Sequence, residues 1–101
     1  MDIQLNYAPL MPKDKSVPIG CIGAGFIMAD CHLTAYRQAG FNPVAIADPI
    51  TERASEAAKR HGIPRVYDSA EALLADSEVR VLDIGVPPDI QLSIIRQAVK
   101  H

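Results

Sequence analysis

Two glycines one residue apart, Gly23-Ala24-Gly25, close a short apolar run and stand just before a longer stretch with helical spacing. In that setting Gly23 permits a tight turn, and Gly25 lets the backbone approach a pyrophosphate held by the N–H groups and dipole of the following helix. The third glycine position of the usual pattern is taken by Met28, so the match is incomplete. Asp48 ends a second apolar run, where a carboxylate would accept hydrogen bonds from adenosine ribose hydroxyls and repel a 2′-phosphate. Each feature also has an ordinary reading, because glycines serve many turns and an Asp before a Pro is common turn chemistry. Together, on a strand–turn–helix–strand, they point to a dinucleotide site. No Lys-Ser/Thr follows the glycines, which argues against a P-loop.

The elements that must position these residues read as alternating strands and helices, the pattern of βαβ units on a parallel sheet. Strands are expected at Val17–Ile22, Val44–Asp48, Arg65–Tyr67 and Val81–Val86. The first helix is expected over Phe26–Ala39, with Met28, Cys31, Ala35 and Ala39 inward and Gly40 as its stop. A second, Thr51–His61, turns Ala54, Ala57 and Ala58 inward, exposes a Glu56–Arg60 pair and stops at Gly62 and Pro64. The third runs from an N-cap at Ser69 to Asp76. The last opens at Pro87-Pro88-Asp89 with Ile90, Ile94, Ile95, Ala98 and Val99 inward. Right-handed crossovers then give sheet order 3-2-1-4 in a Rossmann-like three-layer αβα fold. Residues 1–16 carry Pro9, Pro12 and no period, and read as an N-terminal arm ahead of a domain at 17–101. Lys100 and His101 stand in the final turn of the last helix with no capping glycine and no further strand after them, so later strands are expected beyond. The Val81–Val86 edge left open is expected to pair with a second copy, giving a homo-oligomer.

At 101 residues the chain has the length of one domain, and 49% hydrophobic residues suffice for a modest core. Ten basic residues against twelve acidic ones, without a basic tract, speak against nucleic acid as a partner. The longest uncharged stretch near the start is broken by Pro18 and three glycines, which speaks against a membrane span, and the first residues lack a basic start. A cytoplasmic chain is expected. Cys21 and Cys31 match neither a zinc nor a redox spacing, so both are expected as reduced thiols packed like small hydrophobes, with no metal site. His32 and His61 read as structural, His61 as a cation suited to its helix end. Asp83, inside an apolar strand, needs a partner that the sequence does not name.

The run GCIGAGFIMADCH from Gly20 to His32, then Ala47-Asp48-Pro49 with Glu52-Arg53-Ala54, then Tyr67-Asp68 before Leu73-Leu74, then DIGVPPD from Asp83 to Asp89, resembles the N-terminal domain of the Gfo/Idh/MocA oxidoreductases. The resemblance covers residues 17–101. It implies a Rossmann domain binding NAD or NADP, followed by an α/β domain with a large open sheet, in enzymes that oxidise or reduce sugars, inositols and related polyols. Carried onto this chain, it makes Gly23, Ala24, Gly25, Phe26 and Ile27 the pyrophosphate turn and Asp48 the ribose ligand. Arg53 becomes a contact to the adenosine end, and Val86, Pro87 and Pro88 the wall beside the nicotinamide half. The family commonly has His at the position of Gln91 and a small residue at that of Met28. No catalytic residue is assigned, because the family's Glu-Lys-Pro motif would begin beyond His101, and the chain alone is expected to be inactive. NAD is expected to be preferred over NADP, with Arg53 softening the discrimination. The alternatives are a non-catalytic dinucleotide-sensing regulatory module and a pseudo-enzyme that kept the fold.

Overall fold

A computed structural model describes residues 14–100. Four strands, β1 (Pro18–Ile22), β2 (Asn42–Ala47), β3 (Arg65–Tyr67) and β4 (Val81–Ile84), form one parallel sheet in the order β3-β2-β1-β4. The winding runs outward through β2 and β3 and then returns to the other side of β1, as the glycine turn after β1 requires. Pro43 opposes Ile19 near the start of β2, and the register shifts between Ile19 and Gly20, where a proline without an N–H would interrupt the ladder.

On one face of the sheet Ile19, Cys21 and Ile46 pack against Met28, Leu33 and the inward alanines Ala54, Ala57 and Ala58 of α2 (Thr51–His61). Those small side chains let the helix approach the sheet closely. On the other face Ile22, Val44, Ala45 and Ala47 meet Leu73 of α3 (Ala70–Leu74) and Ile94 of α4 (Pro88–Val99). Gly20 faces this layer without a side chain; a Cβ there would stand 2.8 Å from both Leu73 and Val79. Ser69 caps α3 as expected, its hydroxyl accepting the Ala72 N–H at 3.1 Å. The outer edge at β3 carries a polar clasp. Arg65 Nε donates to Asp76 at 2.7 Å, Arg65 Nη2 to Glu78 at 3.2 Å and the Tyr67 hydroxyl to Asp76 at 2.8 Å.

The first helix departs from the expected pitch. Ile27–His32 form a π turn, and only Leu33–Ala39 (α1) are α-helical before the left-handed stop at Gly40. The buried pair is therefore Met28 and Leu33, five residues apart, while Cys31 and Ala35 are exposed rather than inward. In α4 Ile94 is buried and Ala98 half-buried, but Ile90, Ile95 and Val99 lie open to solvent, as does Leu92. Arg60 does not pair with Glu56 but reaches across to Asp30 and to the Ala29 carbonyl, the latter at 2.7 Å. β4 ends at Ile84, before the expected Val86. The expected arm lies outside the described residues except for 14–16, where Asn42 Nδ2 donates to the Ser16 carbonyl at 2.9 Å.

Candidate dinucleotide cleft

Gly23 leaves β1 with φ of 101°, a conformation that side-chain-bearing residues rarely adopt. Its N–H donates to the Ala47 carbonyl at 2.8 Å, and the Gly85 N–H donates to the Ile22 carbonyl at 2.8 Å, so the ends of β1, β2 and β4 are laced together. A Cβ on Gly23 would meet the Gly85 carbonyl oxygen at 2.5 Å. Space and backbone angle both demand glycine here. Met28, at the third position of the glycine pattern, is completely buried and seats its Cε beside Gly85, where a Cβ would stand 2.9 Å away. Its bulk is absorbed by a glycine across the sheet.

Asp48 closes β2 and is buried, with a hydrogen bond to each carboxylate oxygen. Oδ2 accepts the Ala24 N–H and Oδ1 the Ile50 N–H, both at 2.8 Å. This ties the glycine turn to the end of β2. Each oxygen has a second lone pair, so the carboxylate can still accept from ligand hydroxyls. The N–H groups of Gly25 and Phe26 take no backbone acceptor among the described residues, as expected where a helix opens. Above them lies Arg53. Its Nη2 stands 4.0 Å from Asp48 Oδ2 and would touch a Cβ on Gly25 at 2.7 Å. The guanidinium therefore stands over the glycine turn, beside Asp48.

These residues border a cleft of about 970 Å³ at the carboxyl ends of β1, β2 and β4, where open α/β sheets bind ligands. Gly23, Gly25, Phe26, Ile27, Asp48, Arg53, Val86 and Pro87 all line it. Ala24 is buried behind the turn, and Pro88 is not among the lining residues. Gln91 holds the β4–α4 connection, its Nε2 donating to the Val86 carbonyl at 2.9 Å. A residue at this place can shape the wall without touching a ligand.

Asp83 has the partners that sequence reasoning could not name. His32 Nδ1 lies 2.8 Å from its Oδ2, and the Tyr36 hydroxyl donates to the same oxygen at 2.6 Å. His32 also borders the cleft. The signal was the spacing of His32 and Tyr36, one turn apart on a helix that must cover the strand containing Asp83. Burial, helped by the charge of Asp83, pushes the Cys21 thiol up to about 12. Burial and the hydrogen bond to Asp83 raise the Tyr36 hydroxyl as well. Burial lowers the His61 pKa, which works against the cation expected at its helix end, and its Nε2 lies 2.6 Å from the Ala29 carbonyl oxygen. Among the described residues no cluster of three or more His, Cys, Asp or Glu could hold a metal ion, and no helix is long and apolar enough to cross a membrane.

Residues 17–101 match the oxidoreductase family Gfo/Idh/MocA, NAD-binding Rossmann fold. An uncharacterized oxidoreductase of Synechocystis sp. is 32% identical over 91 residues, covering 88% of this chain and 24% of that protein. The crystal structure of an oxidoreductase from Thermotoga maritima is 30% identical with a TM-score of 0.79, over 84% of this chain and 27% of that one. Levoglucosan dehydrogenase, in complex with NADH, is 28% identical with a TM-score of 0.74, over 84% and 25%. The chain thus spans about a quarter of the length of these relatives. On the strength of the match from 17 to 101, this chain belongs to the Gfo/Idh/MocA oxidoreductases, within their NAD-binding Rossmann fold.

Proposed function

We propose that the chain is the dinucleotide-holding part of an oxidoreductase acting on a sugar, inositol or related polyol, with NAD preferred over NADP. The observation that carries the reading is the cleft itself, in which a glycine turn with unclaimed N–H groups, a buried carboxylate at the end of β2 and the guanidinium of Arg53 beside it converge. Gly25 and Phe26 would donate to the pyrophosphate through their backbone, and Arg53 would offset its charge from above. Asp48 would accept from the ribose hydroxyls while its two N–H bonds keep it in place. Val86 and Pro87 would wall the nicotinamide half and exclude water from it. Bound there, the cofactor would supply the hydride acceptor or donor. The substrate class is supported by the similarity to levoglucosan dehydrogenase. The group that handles the substrate's hydroxyl proton is assigned to no residue of this chain.

Calorimetric titration with both cofactors tests the reading. A 2′-phosphate near Asp48 brings like charges together, at a cost of about 1–4 kcal/mol for a separation near 4 Å. NAD should therefore bind at least about fivefold more tightly, and Asp48→Ser should narrow that ratio. Equal affinities, or a ratio untouched by the substitution, would remove Asp48 from the ribose site. The chain by itself should reduce no nicotinamide with any polyol.

A further inference from the structure

The π turn Ile27–His32 is the element that spacing did not anticipate, and its far end carries a polar cluster that the cofactor contacts above do not use. Such turns are rare and concentrate at functional sites. Here the turn leaves Cys31 exposed and lays His32 against β4, within 2.8 Å of Asp83. Tyr36, one turn further along in α1, reaches the same carboxylate oxygen. Asp83 stands opposite Cys21 in the ladder between β4 and β1, with a side chain only 14% exposed. A single part-buried oxygen therefore ties two side chains of the first helical unit to the strand that leads into the far wall of the cleft. Hydrogen bonds to an ionised acceptor away from bulk water are the strong and directional kind. The Tyr36 hydroxyl is held above its ordinary titration range, so it remains a donor at any ordinary pH.

We infer that Asp83, acting through His32 and Tyr36, is a positioning residue that fixes the π turn against β4 and so sets where the Gly25 and Phe26 N–H groups meet a dinucleotide. The inference rests on the dinucleotide reading for its ligand, but not for its geometry. Two chain ends of the cleft, the glycine turn on one side and Val86-Pro87 on the other, are joined by backbone where Gly85 meets Ile22, and Met28 packs against Gly85 beside that point. The Asp83 cluster adds a polar tie between the first helical unit and β4, two residues before Gly85.

The test uses the 101-residue chain with two readouts, NAD affinity by calorimetry and amide hydrogen exchange without ligand. Asp83→Ala and His32→Ala should each weaken NAD by about tenfold or more, the scale of a lost hydrogen bond to a charged group. His32→Asn should restore most of the affinity, because its amide can still donate to Asp83 from nearly the Nδ1 position. In the free chain, Asp83→Ala should speed exchange at residues 26–32 while leaving α2 unchanged. An equal loss of affinity in His32→Asn and His32→Ala would make the ring itself a ligand and overturn the positioning role. Uniform acceleration of exchange throughout the chain would reduce the cluster to general stability and overturn it too. If the native chain binds no NAD, the functional reading fails, and the exchange pattern alone decides whether the tie exists.

Discussion

On one face of the sheet Met28, Leu33 and Ala54 are sealed completely from solvent, whereas on the other α4 buries Ile94 and leaves Ile90, Leu92, Ile95 and Val99 exposed. Both faces are covered by helices joined to the same strands, so the difference lies in how the helices fit. The alanines of α2 and the π turn bring backbone close to the sheet, and every inward position is filled. The apolar residues of α4 spread around more than one side of the helix, and the sheet can cover only one. The second face is sealed too where Leu73 of α3 meets it, so the contrast belongs to α4 and not to the whole layer.

The largest expected contrast is between two leucines. Leu33→Ala should cost about 3 kcal/mol, because a fully buried side chain leaves a cavity, whereas Leu92→Ala should change stability by less than about 0.5 kcal/mol. Urea unfolding of both variants measures this, and equal costs would erase the distinction between the faces. A smaller effect probes the fit inside the sealed face. Gly85→Ala pushes a methyl against Met28 Cε and should cost about 1 kcal/mol. That cost should shrink in the background of Met28→Ala, giving a non-additive double-mutant cycle. Additive costs would mean that Met28 and Gly85 do not meet.

Acid reads the same face through His61. Burial holds its pKa below the ordinary 6.5, so as pH falls the unfolded chain takes up the proton first. The associated stability is complete above pH 6.5, declines as pH drops through 6.5 toward the lowered folded value, and levels off below it. His61→Gln should flatten that part of the stability–pH curve, and an unchanged slope would assign the acid sensitivity elsewhere. The mildest probe leaves the fold untouched. Iodoacetamide at pH 8 should label exposed Cys31 and spare Cys21, whose thiol burial pushes up to about 12, until denaturant is added. Equal labelling in the native chain would contradict the sealed face directly.

The order of elements, the parallel sheet and the span of α2 were legible from local patterning, since Ala54, Ala57, Ala58 and the stop at Gly62 all agree with the fold. The glycine turn and Asp48 were legible because their chemistry is carried by residue type at short range. The π turn was not, because a period of 3.6 residues puts Cys31 inward beside Met28, where Leu33 does the packing. The partners of Asp83 and Arg60 lie on elements distant in sequence, and only the assembled sheet brings them together. The place of Arg53 over the turn was not legible either, because it depends on Gly25 having no side chain where the guanidinium lies.

The clasp of Arg65, Tyr67, Asp76 and Glu78 has a consequence for colloidal behaviour. It fills the border of β3 with fixed charge, which discourages another strand from docking there. At the opposite border Val81 is half-exposed and no described strand lies beyond β4. A sheet that can be templated from one side only cannot propagate. The charged clasp thus confines any strand pairing by this sheet to its β4 side, and a one-sided template cannot add strand after strand into a fibre.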